Sequence, residues 1–545
     1  MKRIPRAIAR KESNTKQITL LMKMFICSVI IWGGLLFVSC SDFLGVTAEQ
    51  TPGESTFFST DQDASDAMDA VYDIFSLEDV FGRNLFYEQA GCGDDFIYGR
   101  TRNTTYTNLA NFNFNGDEDP LAANWSAFNT YLARANWVVS GLLAKGEDIS
   151  AVQQIRLGEA YFMRAFCHFY LAYRYGRADQ GVPFDRYEDF EDYNYSIPEQ
   201  RATVMENYEL IIEDLEKAAE LLPLFEEYGE EDYGRAHRAA AWALEVKVYA
   251  YWAYHDESKW ELIPDLVDQI EDEGGRDLLD SFKEVFTIEN NQSSEYIWSV
   301  NSSGSTQGGS IFPGVVLENK AWGLYNGWGY MKPTLGLYEE FEENDLRRGV
   351  TLYEYGDTFV LFGETRTFYS SSDLESGFML AKYMEPFTYS NAVGTTVSSN
   401  GDRPTTDLDL PIIRHAEMVL FKAEALIHLG ENASAATELN RLRARAGLDE
   451  LSTATMNDLM HERRCELAGE FTDRFMDLKR WEQTEILNQP KYGRIYENRD
   501  NPASSWSKGT IWNSRTYNPA YDLVFPYDPD EVTKAGGALK QNPAG

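Results

Sequence analysis

Paired amphipathic segments constrain the fold of this 545-residue chain more than any other feature. Ser150 with Gln153 forms a capping-box pattern, and apolar residues then recur at helical spacing until Gly176 ends the run. Thr203 with Glu206 repeats the device ahead of a second such run. The pattern predicts three helix pairs: Trp125 to Ala144 with Ser150 to Tyr175, Thr203 to Leu222 with Arg235 to Tyr254, and the two halves of 411 to 446, joined by a one- or two-residue turn.

The predicted pairs are of tetratricopeptide kind, although their spacing is too irregular for a strict 34-residue period. Between Asp256 and Asp409, Gly, Ser, Asn, Tyr and Trp replace the helical pattern. We interpret this segment as a loop-rich lobe on a helical scaffold, the kind of place where binding surfaces are built. The predicted fold class is therefore mainly α, a tetratricopeptide-like superhelix of helical pairs with a loop-rich, irregular lobe.

An apolar run, Met24 to Val38, follows several basic residues near the N-terminus. It is shorter than the ~20 residues that a membrane-spanning helix needs, but it suits an export signal. Phe37-Val38-Ser39-Cys40 resembles a bacterial lipobox, with Phe37 where Leu is usual. We expect residues 1–39 to be a lipoprotein signal peptide, Cys40 to carry the lipid, and residues 40–59 to form a tether. An uncleaved amphipathic leader or a buried strand is the alternative interpretation.

The charge balance restricts the partners. The chain has a formal net charge of −38, and removing the net +6 of residues 1–39 leaves about −44. Such a chain repels phosphate backbones, so nucleic acid is not an expected partner. Aromatic residues make up 14% of the chain, which supplies material for a large core. Cys92, Cys167 and Cys465 have wide spacings that give no disulfide framework.

The motifs of catalysis and metal binding are weak. His461-Glu462 begins like a zinc motif, but Cys465 stands where the second His would be. Nucleophile-elbow and phosphate-loop motifs are absent from the sequence. Two acidic clusters, 117–119 and 528–531, have oxygen ligands suited to Ca²⁺, without the spacing of a calcium loop. We expect no enzymatic activity and no cofactor, with solvated acidic turns favoured over Ca²⁺ sites.

Aromatic side chains among glycines and polar residues are the best candidates for a binding site. Sugar rings pack on flat aromatic faces while their hydroxyls need hydrogen bonds. Segment 321–330 and segment 94–103 both have this mixture, and Tyr296 and Trp298 alternate on a predicted strand. The alternative is that these rings fill the core. The candidate ligand-binding residues are Trp322, Tyr325, Trp328, Tyr98, Arg100, Asn103 and Tyr296.

Several segments in order along the chain resemble the SusD/RagB family. They include Cys40-Ser-Asp-Phe-Leu44, Gly158-Glu-Ala160, Ile413-Arg-His-Ala-Glu417, Arg443-Ala-Arg-Ala-Gly447, Asp477-Leu-Lys-Arg480 and Gln541-Asn-Pro543. Members of this family are surface lipoproteins that capture nutrients for a TonB-dependent outer-membrane transporter of the SusC kind. The resemblance also implies that the loop at 94–103 helps to form the ligand face.

The resemblance implies one SusD-like domain, 60–545, with a helical scaffold at about 60–255 and 410–485. The loop-rich lobe would span about 256–409, and an irregular C-terminal segment would span 486–545. The expected function is non-catalytic binding of a glycan at the outer membrane and its delivery to a SusC-like transporter. Peptide cargo, a tetratricopeptide scaffold for protein partners and a lipid-anchored hydrolase are the alternatives. We expect the shared charged residues, such as Glu424, Arg463 and Asp477, to form structural ion pairs.

Overall fold

The protein is described by a computed structural model that covers residues 57–184, 186, 200–302, 310–318, 321–322, 325–361, 364–369, 376–384 and 406–543. Side chains 313, 321–322 and 325–326 are not described. Residues Phe58–Gly545 form one compact unit. The predicted signal peptide, Cys40 and almost all of the tether lie outside the described residues. Within the described part, no helix combines the length and the apolar character needed to cross a bilayer.

The fold is mainly α, as the sequence predicts. The α-helices are α1 Asp61–Tyr72, α2 Asn84–Cys92, α3 Thr104–Ala110, α4 Asp119–Leu143, α5 Ala151–Tyr175, α6 Val204–Leu221, α7 Arg238–Trp252, α8 Ile263–Asp272, α9 Phe312–Val316, α10 Leu335–Glu340, α11 Leu346–Thr351, α12 His415–His428, α13 Asn432–Ala446, α14 Met456–Leu467, α15 Arg474–Arg480, α16 Pro519–Asp522 and α17 Pro529–Lys534.

The predicted helix pairs are present as α4–α5, α6–α7 and α12–α13, and α5 also packs on α6. The capping box at the start of α5 is formed, because Ser150 Oγ accepts from the Gln153 amide and Gln153 Oε1 accepts from the Ser150 amide. Helix α4 starts at Asp119, earlier than predicted, and Pro120 lies in its first turn. The turn between α12 and α13 spans three residues, with Gly430 at φ +81°.

The strands are short and form two-stranded antiparallel pairs. They are β1 Phe96–Tyr98, β2 Tyr296–Val300, β3 Ala321–Trp322, β4 Tyr325–Asn326, β5 Met331–Pro333, β6 Leu352–Glu354, β7 Thr358–Leu361, β8 Glu364–Thr367, β9 Phe378–Leu380, β10 Leu410–Arg414, β11 Lys491–Tyr496 and β12 Trp506–Trp512. The pairs are β1–β5, β2–β10, β3–β4, β6–β9, β7–β8 and β11–β12.

Strand β10 corrects one prediction, because Ile413 belongs to it and not to a helix. Ile413 lies opposite Trp298 of β2, and the helix begins only at His415. The short apolar run at 410–413 is compatible with a helix and with a strand. Pairing with β2 makes it a strand.

The described parts of segment 256–409 contain short helices and strand pairs as well as loops. Helix α8 lies in it and packs on α7 and α12 of the scaffold. The short helices α9 to α11 and the β3–β4, β6–β9 and β7–β8 pairs follow. The segment after 486 carries the β11–β12 hairpin.

Buried ion pairs fix the helices of the C-terminal half. Arg463 contacts Glu417 at 3.0 Å and Asp477 at 2.6 Å, and Arg480 pairs with Glu424. These side chains are almost fully buried. The prediction that Glu424, Arg463 and Asp477 form structural ion pairs is confirmed here, since buried charges persist in proteins when they are paired.

Candidate functional site

A short strand pair brings two distant segments together. Strand β1 lies antiparallel to β5 with Tyr98 opposite Met331, and the Gly99 amide donates to the Tyr330 carbonyl at 2.6 Å. A Cβ on Gly99 would lie 2.4 Å from the Gly329 carbonyl oxygen, so this approach requires glycine. The loop 99–103 therefore lies directly against segment 327–330.

Tyr330 lies on a cluster of buried tyrosines. Its ring centroid is 5.3 Å from those of Tyr87 and Tyr106, and Tyr98 stacks on Tyr106 at 5.4 Å. Burial raises the pKa of Tyr106 to about 12 and that of Tyr87 well above its ordinary value. The phenols beneath Tyr330 thus stay neutral and form a packed, uncharged support.

Two partly exposed rings and two arginines form the outer layer, which we call the ring site: Arg83, Arg100, Trp328 and Tyr330. The centroids of Trp328 and Tyr330 are 6.2 Å apart. Arg83 Cζ lies 5.3 Å from the Trp328 centroid, and Arg100 Cζ lies 5.2 Å from that of Tyr330. These are cation–π contacts.

The charge of Arg83 is stabilised locally. Burial opposes the charged form, but Arg83 donates to Asp79, and this hydrogen bond raises the pKa of the guanidinium. Arg83 directly precedes α2, whereas Trp328 directly precedes the segment that leads into β5. The ion pair therefore holds a cation from the helical scaffold over a ring of the lobe.

Of the predicted residues in segment 94–103, Arg100 lies at the ring site and Asn103 lies near it. Asn103 Oδ1 accepts from the Thr105 amide at 3.1 Å and caps α3. Tyr98 is a correction, because it is 0% exposed and donates its hydroxyl to the Tyr87 carbonyl. It supports the site from below and offers no surface to a ligand.

Trp328 is the predicted residue of segment 321–330 whose side chain the structure describes, and it lies at the ring site. Trp322 and Tyr325 face each other in the β3–β4 pair. Their side chains lie outside the described part of the chain.

Tyr296 also needs correction. It is 1% exposed and donates to the Val285 carbonyl at 2.6 Å. Trp298, two residues on, is buried among Phe75, Phe162 and Phe166. Both rings are buried, as alternation allows, so they belong to the core.

Arg83 and Tyr330 were missing from the predicted set. Tyr330 carries a usable signal, because it follows Trp328 and Gly329 in the same glycine-rich segment. Arg83 carries none, since its position over Trp328 depends on the packing of α2 against the lobe. Only the three-dimensional arrangement identifies it.

Among the residues that the structure describes, one group of three metal-ligand types lies close together: Glu342, His461 and Glu462. Arg443 Nη1 lies between the carboxylates, 2.7 Å from Glu342 and 2.5 Å from Glu462. A guanidinium already neutralises this group, so its donor set does not fit a resident zinc ion.

In the two acidic clusters, 117–119 and 528–531, carboxylates accept hydrogen bonds from backbone amides. Glu118 Oε2 accepts from the amides of Asn115 and Gly116. Asp528 accepts from the Asp530 amide and caps α17. These contacts are those of acidic turns and caps.

The ring site can contact a ligand in two ways. Trp328 and Tyr330 are partly exposed, and the ring surface that Arg83 and Arg100 leave uncovered can pack against an apolar surface. Arg83 and Arg100 place hydrogen-bond donors beside those faces. Apolar surface with a few placed polar groups is the usual composition of a small-molecule or oligosaccharide pocket.

Comparisons with known proteins agree with this architecture. The model of the SusD family matches residues 294–544, and a model described as starch-binding associating with outer membrane matches residues 61–250. SusD-like protein P2 of Formosa agariphila is 28% identical over 496 residues, covering 82% of this chain and 88% of that protein.

Solved structures share the fold. Surface glycan-binding protein A from Bacteroides fluxus matches with a TM-score of 0.68 and 25% identity, covering 89% of this chain and 99% of that one. The protein of the same name from Bacteroides thetaiotaomicron, in complex with laminarihexaose, matches with a TM-score of 0.68 and 21% identity, covering 88% and 99%. These likenesses concern the fold, whereas the two family models between them match residues 61–250 and 294–544, and on that ground the chain belongs to the SusD/RagB family.

Proposed function

We propose that this protein is a non-catalytic glycan-binding protein of the cell surface. The ring site carries the proposal, because Trp328 and Tyr330 are partly exposed rings, and Tyr330 packs against the buried Tyr87 and Tyr106. Sugar rings present apolar C–H faces to such surfaces, and their hydroxyls accept hydrogen bonds from groups like Arg100. Binding of this kind needs no reactive group.

Related proteins support the choice of ligand class. Both structural matches described above are named surface glycan-binding protein A, and one of them is in complex with laminarihexaose. A neutral or weakly charged glycan also suits a chain with net charge −38, since polyanions would be repelled.

We further propose that the protein is held at the outer membrane by a lipid on Cys40 and delivers its glycan to a SusC-like TonB-dependent transporter. The apolar run before Cys40 and the family model's description as associating with the outer membrane support this assignment. Palmitate incorporation into the full chain, lost in Cys40→Ala, tests the anchor. Co-purification with the transporter tests the partnership.

Affinity electrophoresis of the soluble form starting at Ser41 tests glycan binding. The panel contains laminarin, starch, xylan and pectin. We expect one of these polysaccharides to retard the protein, and we expect Trp328→Ala to abolish the retardation because the stacking face is lost.

Trp506→Ala is the matched control, because this tryptophan is 44% exposed on the β11–β12 hairpin and outside the ring site. It should migrate like the wild type. Retardation that survives Trp328→Ala would reject the ring site. A lack of retardation by every polysaccharide would favour peptide cargo or a scaffold role, and release of sugars from any of them would identify a hydrolase.

A further inference from the structure

A cleft adjoins the ring site through loop 99–103. It has a volume of about 530 Å³ and opens between α3 and the chain that follows β12. Its walls carry hydroxyl and amide side chains from three segments: Thr101, Thr107, Asn111, Asn513, Ser514 and Thr516. We call it the Trp512 cleft. Its size falls in the ~300–1,000 Å³ range of ligand pockets.

The floor of the Trp512 cleft is fixed. Trp512 is 8% exposed, and its Nε1 donates to Asn111 Oδ1 at 2.9 Å, which ties the indole to α3. Trp512 is therefore a largely buried part of the cleft wall. A floor held in this way needs little reordering when a ligand binds.

Arg515 is the one charged residue among those lining the cleft. It is 4% exposed, and its guanidinium donates to the carbonyls of Cys92 at 3.0 Å and Ala110 at 3.2 Å. Cys92 and Ala110 are the last residues of α2 and α3, where the helix dipole favours a cation. The positive charge of Arg515 thus stabilises the C-terminal ends of α2 and α3, and the other polar groups that line the cleft are neutral.

The ligand chemistry follows from these groups. Threonine and serine hydroxyls both donate and accept hydrogen bonds, and asparagine amides do the same through separate atoms. Thr107 Oγ1 already donates to the Asn103 carbonyl and Asn111 Oδ1 accepts from Trp512. A neutral polyhydroxylated ligand therefore meets chiefly the exposed side chains Thr101, Asn513, Ser514 and Thr516. A phosphate or carboxylate ligand is disfavoured, because Arg515, the one cation on the walls, is already bonded to the helix carbonyls and the chain has a net charge of −38.

The cleft and the ring site share one loop. Arg100 contacts Tyr330 at the ring site, whereas the next residue, Thr101, lines the Trp512 cleft. Consecutive Cα atoms are about 3.8 Å apart, so the two places meet at loop 99–103. Asn103 caps the start of α3, which supplies Thr107, and Asn111 directly follows the end of that helix.

We propose that the Trp512 cleft is a second subsite for uncharged sugar units, and that one glycan chain bound at the ring site crosses loop 99–103 into it. This rests on the proposed glycan-binding function. The protein would then select chains over short sugars, because a second contact on the same chain is made at high effective concentration.

The test uses calorimetry with size-graded fragments of laminarin, starch, xylan and pectin, from two to ten sugar units. Ser514→Arg fills the cleft from an exposed position, and Asn513→Ala removes an amide without adding bulk. Affinity should rise with length in the wild type. We expect Ser514→Arg to lower the affinity for the longest fragments at least about tenfold and to leave the affinity for the shortest fragments unchanged. Asn513→Ala should lower the affinity for the longest fragments by a smaller factor.

Ser434→Arg, at an exposed position on α13, is the control and should bind like the wild type. Unchanged long-fragment affinity in Ser514→Arg, with binding lost in Trp328→Ala, would overturn the second subsite and leave the proposed function standing. Equal losses for short and long fragments in Ser514→Arg would also overturn it. If no fragment binds the wild type, the proposed function fails and the second subsite fails with it.

Discussion

Gly99 allows loop 99–103, which carries Arg100, to lie directly against segment 327–330, which carries Trp328 and Tyr330. Its missing side chain leaves room for the Gly329 carbonyl and the Lys332 side chain, which an added Cβ would meet at 2.4 Å and 2.2 Å. Real Cβ atoms do not approach other atoms so closely, so any larger residue must push loop 99–103 away from segment 327–330.

Gly99→Ala should therefore destabilise the protein by about 1–3 kcal/mol and weaken glycan binding. Urea unfolding followed by circular dichroism gives the first quantity, and affinity electrophoresis gives the second. Gly349→Ala is the control, because nothing lies within 4 Å of its added Cβ and it lies in helix α11. That change should stabilise by about 0.5–1 kcal/mol. A loss in both variants would contradict the steric argument.

The sequence predicts single residues of the site only in part. Trp328 and Arg100 lie at the ring site as their glycine-rich and polar surroundings suggest. Tyr98 and Tyr296 have similar surroundings in the sequence but are buried. Residue spacing says which side chains share a face, whereas the packing of other elements decides whether that face meets solvent.

At the scale of elements, His461 joins helix α14 to the end of α10. Its Nδ1 lies 2.8 Å from Glu340 Oε1, and its Nε2 lies 3.5 Å from Glu342 Oε1. The hydrogen bond with Glu340 raises the pKa of His461 above its ordinary value. The protonated imidazolium is therefore favoured in the folded state.

A raised histidine pKa contributes stability that is fully present below the ordinary pKa of about 6.5 and disappears as the pH rises through the folded value. His461→Gln should therefore lose about 1 kcal/mol at pH 6 and less at pH 9. Urea unfolding of both proteins at the two pH values measures this difference. Buried His168 and His237, whose pKa values burial lowers, are common to both proteins and cancel. Equal losses at pH 6 and pH 9 would mean that His461 acts through packing alone.

The sequence predicts an element well where the hydrogen bonds that define it form between residues close together in the chain. Ser150 and Gln153 satisfy each other's backbone within four residues, so the start of α5 is readable from the sequence. Ile413 is different, because its strand exists through pairing with Trp298 more than a hundred residues away. The β1–β5 and β11–β12 pairs likewise depend on partners that periodicity does not reveal.

At the scale of the whole molecule, buried ion pairs connect the lobe to the scaffold. Arg414 of β10 contacts Glu295 at 2.7 Å, Glu466 at 2.8 Å and Glu470 at 2.6 Å. The sequence predicts that such charges are paired, because isolated charges are costly to bury. It does not predict the partners, which lie far apart in the chain.

The ring site likewise consists of residues that lie far apart in the chain. Arg83 comes from the start of the scaffold, Arg100 from the loop after β1, and Trp328 and Tyr330 from the lobe. Each segment is ordinary by itself, and the site exists because the β1–β5 pair and helix α2 bring the segments together. The fold class and family can therefore be predicted from one sequence more fully than the site.

The crystal structure of residues 41–545 with a bound hexasaccharide tests the central claim most directly. Laminarihexaose is the first ligand to use, followed by the hexasaccharide of whichever panel polysaccharide retards the protein. The account predicts a sugar ring packed on Trp328 or Tyr330, with its carbons within ~4.5 Å of the aromatic face and a hydroxyl bonded to Arg100 or Arg83. A hexasaccharide bound away from these four residues would contradict it.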